Sequence, residues 1–266
     1  VRVAPLAVCF LLVFVSSAAA SARTVVGHSV DGRPIVAVHE GSADPALKLV
    51  VFGCIHGDET AGMRVARRLI AAGAPRGVEL WVVPTLNPDG VAADTRGNAH
   101  GVDLNRNFPF DWTHLSGGEY SGTGPLSEPE SRAARRFISE VEPDLTIWFH
   151  QPFGIVDRSG GDPFVERRFA DLVGLPLVRL HGRYPGSATR WQNHTHPRAT
   201  GFVTELPAVV SVALVRRAAA AVRTIAAELA SPGIGAGESA ARTRKRVETT
   251  AAQASEVQPR PQARRR

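Results

Sequence analysis

Cysteine is nearly missing from this chain: Cys9 and Cys54 are the only two in 266 residues. A disulfide-stapled scaffold is therefore excluded. Cys54 follows an apolar strand-like run and reads as a small buried residue rather than a nucleophile. Aromatic residues make up only 6%, with two tyrosines, Tyr120 and Tyr184. Tyr120 sits in Gly118-Glu119-Tyr120-Ser121-Gly122 and reads as loop packing, which leaves Tyr184 as the tyrosine open to a functional role. No apolar run reaches the roughly 20 residues a membrane-spanning helix needs. The strongest, Leu6 to Val15, follows Arg2 and leads into Ser16-Ser17-Ala18-Ala19-Ala20-Ser21-Ala22, the layout of a secretory signal with an Ala-x-Ala cleavage site. Cleavage after Ala22 and export to an extracellular or cell-envelope location are expected, with an uncleaved membrane-anchored N-terminus as the alternative. Cys9 would leave with that segment, and Cys54 would then have no intramolecular partner.

Charge of one sign is also lacking where it would matter. The net charge is +6, yet residues 233 to 266 alone hold eight Arg or Lys against three Glu. With Arg2 this accounts for the whole excess, so the segment from 3 to 232 is formally neutral. Residues 233 to 266 lose apolar periodicity and cannot bury enough surface to offset ordering entropy, which predicts a disordered basic tail. Outside a membrane such a tail could be attracted to anionic wall polymers or lipid surfaces, with a merely solvated tail as the alternative. Nucleic acid is not an expected partner, because no binding module accompanies the charge. Residues 23 to 232 remain as one domain, long enough for a single sizeable core.

Within that domain, apolar runs alternate with amphipathic stretches. Leu47 to Gly53, Val78 to Pro84, Asp144 to Phe149 and Gly201 to Pro207 read as strands. Helices are expected at about Thr60 to Ala72, from a Ser127-x-x-Glu130 capping box to Val141, from Pro163 to Gly174 and from Ala208 to Ala230. The alternation predicts an α/β domain, a mainly parallel sheet covered on both sides.

The chemistry-bearing residues fall at the strand ends. His56-Gly57-Asp58-Glu59 follows the first of these strands, and His150 ends another. Alone, a His-x-x-Glu turn is as easily a solvated loop; two histidines and a carboxylate together are a known way to hold a catalytic zinc with one position open. Further along stand Asn87-Pro88-Asp89-Gly90, then Arg96, then Gly101-Val102-Asp103-Leu104-Asn105-Arg106-Asn107-Phe108, and later Thr204-Glu205-Leu206-Pro207. A carboxylate in so apolar a strand as that of Glu205 needs a partner or a raised pKa.

Taken together and in this order, these motifs resemble the zinc carboxypeptidase family from about Val50 to Pro207, and within it the murein peptide amidases. The resemblance implies a single-domain α/β/α sandwich with a mixed, mainly parallel sheet of about eight strands. It implies one Zn2+ per chain, held by His56, Glu59 and His150, with Asp103 fixing a zinc-bound imidazole. Asn105 and Arg106 would grip the substrate's terminal carboxylate, a task suited to a planar guanidinium. Arg96 would stabilise the oxyanion and Glu205 would act as general base. Tyr184 would close over the substrate, and Ser187, Thr189, Trp191 and Asn193 would line its side-chain pocket.

The expected reaction is hydrolysis of an amide next to a carboxylate-bearing residue, by resemblance the γ-D-glutamyl–meso-diaminopimelate bond of murein peptides. A general C-terminal carboxypeptidase and an N-acyl-amino-acid deacylase are the alternatives, the latter opposed by the full Gly101 to Phe108 motif. A catalytically inactive wall-binding protein has no need for both a metal set and a base. Murein peptide amidases are generally cytoplasmic recycling enzymes, so the expected export departs from their pattern.

Overall fold

The computed structural model describes residues 21–182 and 184–231. Most of the expected signal segment and the whole basic tail lie outside these residues. The elements run β1 (Ala22–His28), β2 (Pro34–Gly41), β3 (Leu47–Phe52), α1 (Ala61–Ala72), β4 (Val78–Val83), α2 (Pro88–Ala93), α3 (Pro129–Val141), β5 (Leu145–His150), β6 (Phe153–Asp157), α4 (Pro163–Val173), β7 (Leu177–Val178), α5 (Ala188–Thr195), β8 (Thr200–Pro207) and α6 (Val212–Ala230).

The strands form one mixed eight-stranded sheet in the order β1-β2-β4-β3-β5-β8-β6-β7. Its centre, β4-β3-β5-β8, is parallel; on the flanks β1 meets β2, β2 meets β4 and β6 meets β8 antiparallel, while β7 joins β6 in parallel. Both faces of the centre are covered, and the strands alternate accordingly. Leu49, Val51, Ile147 and Phe149 enter a core shared with Val65 of α1, Phe169 of α4 and Val222 of α6. Val50, Phe52 and Trp148 point the other way, toward Phe137 of α3 and Trp191 of α5. Phe52 and Trp148 stack at 3.8 Å between ring centroids. Such two-sided burial explains why these strands read as continuous apolar runs.

Two helix starts differ from the sequence expectation. α3 begins at Pro129 with Glu128 as its N-cap, not Ser127, and no side chain caps it. The Ser127 hydroxyl donates to Glu128 instead, while the Glu130 carboxylate accepts from Val30 N–H and from Asn98, so the capping-box spacing serves tertiary contacts. α6 begins at Val212 rather than Ala208, because Ser211 caps it by accepting from Leu214 N–H. Among the described residues no helix is long and apolar enough to cross a membrane.

Candidate active site

The C-terminal ends of β3, β5 and β8 meet at one edge of the sheet, where open α/β sheets place their ligands. After β3 the chain turns through Gly53–Asp58 into α1, and Glu59 N–H donates to the His56 carbonyl at 3.0 Å. That turn is pressed against α2: a Cβ on Gly57 would lie 1.9 Å from the Gly90 carbonyl carbon. Only glycine fits there, which ties the His-Gly-Asp-Glu and Asn-Pro-Asp-Gly motifs into one unit. Asn87 caps α2 and also donates to the Gly97 carbonyl, holding the loop that carries Arg96. On the parallel pair β5 and β8, His150 and Glu205 are direct register partners.

His56, Glu59 and His150 are buried, and one ligand atom from each lies within 4.8 Å of the others. His56 Nδ1 is 2.9 Å from Glu59 Oε1, and His150 Nδ1 is 3.0 Å from Glu59 Oε2. The second His56 nitrogen, Nε2, meets Asp103 Oδ1 at 3.0 Å, so one carboxylate fixes the ring while the other ring nitrogen faces the cluster. Burial alone would lower the His56 pKa, but Asp103 and Glu59 carry it up to about 9. Glu59 is pulled the other way: against burial, the two histidines hold its carboxyl well below the ordinary range. This buried, oriented His-His-Glu set fits Zn2+ by donor chemistry and by convergence.

Around the cluster, Arg96 donates from Nε to Asp103 Oδ2 and from Nη1 to Glu59 Oε1, each at 3.0 Å, and its side chain stays 35% exposed to the cleft. Asp103 caps the short 3-10 turn Leu104–Arg106 by accepting from Asn105 N–H, which fixes Asn105 and Arg106 against the same carboxylate. Asn105 Oδ1 accepts from Ala188 N–H at the start of α5. Arg106 is buried, bonds the Asn105 carbonyl and Glu119 Oε1, and keeps a buried Nε with no partner among the described residues. Glu205 is 7% exposed, and its Oε2 is likewise buried without a partner among the described residues. Burial pushes its carboxyl upward, opposed by the charge of His150. All of these except Asp103 line one open cleft of 1290 Å³.

The zinc carboxypeptidase profile matches residues 17–152, just over half of the chain, and spans His56 through His150. The chain belongs to the zinc carboxypeptidase family. Its members are zinc-dependent metallopeptidases, and the chain is a metallopeptidase hydrolase. It is 30% identical over 180 residues to murein peptide amidase A of Escherichia coli K12, covering 62% of this chain and 74% of that protein. The same-named protein of Vibrio campbellii is 30% identical over 188 residues, covering 64% and 74%. Among solved structures, the murein-tripeptide amidase from Escherichia coli O157 superposes with a TM-score of 0.65 at 26% identity, over 77% of this chain and 91% of that one.

The remaining residues expected from the sequence divide within this zinc carboxypeptidase fold. Tyr184 lines the cleft, with the Arg106 guanidinium carbon 5.2 Å from its ring centroid. Ser187 and Thr189 also line it. Trp191 does not: it is 5% exposed and packs on Phe108 at 5.4 Å, because its position on α5 faces the sheet. Its expected substrate contact is corrected to a core role. Asn193 turns inward too, exchanging hydrogen bonds with the backbone of Gly201. Cys54 is buried, its thiol donates to the His56 carbonyl, and burial pushes it up to about 12. Cleft residues that the sequence did not single out include Glu119, which pairs with Arg106, and Arg158, Glu166 and Arg179 beyond β6. Glu119 lies in a glycine-rich loop and Glu166 in an ordinary-looking charged helix, so neither carries a local signal.

Proposed function

We propose that this metallopeptidase hydrolyses the amide bond between γ-D-glutamate and meso-diaminopimelate in murein peptides, and that it does so outside the membrane. The observation that carries the reading is the opening of buried Arg106 onto the cleft that holds His56, Glu59, His150 and Glu205. A carboxylate grip beside a hydrolytic centre selects a substrate whose free carboxylate is close to the scissile amide. The murein bond is supported by the relatives of that name, and export by the signal-like N-terminal segment.

His56, Glu59 and His150 would hold the Zn2+. When bound, the ion supplies Lewis acidity, making water nucleophilic near neutral pH and polarising the carbonyl. Glu205 takes a proton at Oε2 from the attacking water and delivers it to the leaving amine nitrogen, so the carboxylate is regenerated. Arg96 donates to the oxygen on which negative charge develops. Arg106 and Asn105 hold the substrate carboxylate, and Asp103 keeps the His56 ring in one tautomer. Tyr184, stacked over Arg106, covers the bound residue.

The test is to measure bound zinc, then supply L-Ala-γ-D-Glu-meso-diaminopimelate beside ordinary peptides ending in apolar or basic residues. Release of diaminopimelate in strong preference is expected; preferential cleavage of the ordinary peptides overturns the murein reading. N-terminal sequencing of exported protein checks the location, with a new terminus after Ala22 expected.

A further inference from the structure

The cleft does not stop at the hydrolytic centre. It continues past β6 into a corner formed by the loop after Asp157, the start of α4 and the segment after β7. At that corner Glu166 is 1% exposed, yet among the described residues no cation pairs with it within 4 Å; its carboxylate accepts from Gly161 N–H at 3.1 Å. A Cβ on Gly161 would meet the Thr200 methyl at 2.6 Å, so the loop is pressed tightly against β8. Arg158 and Arg179 line the same cleft, exposed and without a carboxylate partner among the described residues. A buried acid with no cation in contact and two cations with no carboxylate in contact, all lining one cleft, are complementary to a group that carries both charges.

We propose that this corner reads the far end of the substrate side chain as a zwitterion, Glu166 binding its ammonium group and Arg158 with Arg179 its carboxylate. The proposal rests on the murein reading in one respect: diaminopimelate, unlike the common amino acids, ends its side chain in such a head. Burial, joined by the charge of Asp157, pushes the Glu166 carboxyl up to about 7 against the charge of Arg158, the state of an acid that has been removed from water without a counter-ion in contact. A bound ammonium supplies one, and a site built for a charge discriminates strongly against a neutral isostere.

The experiment compares four tripeptides, L-Ala-γ-D-Glu followed by meso-diaminopimelate, L-lysine, L-2-aminopimelate or L-norleucine. Their side chains end in both charges, ammonium alone, carboxylate alone and neither. Glu166→Gln keeps an oxygen for Gly161 N–H, so the loop tie survives. It should lower kcat/KM at least about tenfold more for the two ammonium-bearing peptides than for the other two. The double variant Arg158→Ala, Arg179→Ala changes only exposed side chains and should selectively weaken the two peptides with a side-chain carboxylate. Equal losses across all four, or unchanged ratios in both variants, overturn the proposal. If the wild type cleaves none of the four, the murein reading fails by itself. The same four C-terminal residues behind an ordinary α-peptide then decide the corner through the same ratios.

Discussion

Two glutamates face the same cleft and are treated in opposite ways. Glu59, at the β3–α1 turn, accepts from His56, His150, Gln151 N–H and Arg96, and its carboxyl is held well below the ordinary range despite burial. Glu205, on β8, keeps a buried Oε2 with no partner among the described residues, and burial pushes its carboxyl upward. Donors surrounding a carboxylate make it a permanent anion, the state a metal ligand requires. Leaving one oxygen of the other without a donor frees it to exchange a proton. When environments drive two acids apart in one site, the roles are already assigned.

The sharpest way to break this contrast is Glu205→Gln. The variant should bind zinc at the wild-type stoichiometry and lose about 10²- to 10⁴-fold in kcat, the usual contribution of a positioned base. Glu59→Gln should instead lose the metal. Zinc content measured beside turnover separates the two, and a Glu205→Gln enzyme with wild-type turnover would end the assignment. Asp103→Asn ranks next. The Asp103 carboxylate orients His56 and neutralises Arg96, and its pKa is held low by both partners against its burial. Loss of that outer contact should weaken zinc affinity by about 10- to 100-fold in a chelator competition.

How much of this was legible in the sequence depends on burial. β3, β5 and β8 are buried almost throughout, so their apolar runs and the residues at their ends stood out. β1 is mostly exposed and β7 is two residues long, so neither gives a periodic signal, and the eight-strand count came only from family resemblance. Trp191 shows the limit for side chains. On a helix beside a cleft, an aromatic residue looks the same whether it faces substrate or core, and only packing against Phe108 decides. Glu119 and Glu166 became visible because the fold brings them to Arg106 and to the β6 corner.

Glu166 extends the contrast to stability. Its carboxyl is raised by burial from 4.5 to about 7. Between those values the folded state holds a proton that the unfolded chain has released, so stability falls as pH rises through that window. The slope cannot exceed about 1.4 kcal/mol per pH unit. Glu166→Gln removes the titrating group. Melting temperatures of the two proteins should therefore diverge in favour of the variant between about pH 5 and 7.5 and converge near pH 4. A wild type that is instead most stable at pH 7.5, relative to the variant, would show that Glu166 is paired in solution.

The smallest effect is expected at Glu119, where a carboxylate already occupies Arg106. Its Oε1 accepts from Arg106 Nη2 at 2.6 Å, and its side chain is 55% exposed. A substrate carboxylate must take over that guanidinium, so Glu119 competes for the grip. An ion pair with one solvated partner is worth only about 0.2–1 kcal/mol, which sets the competition at a few-fold. Glu119→Gln should therefore lower KM about two- to fivefold, with the change confined to KM and shrinking at high salt. A higher KM would mean the reverse: that Glu119 aims the guanidinium at the substrate carboxylate.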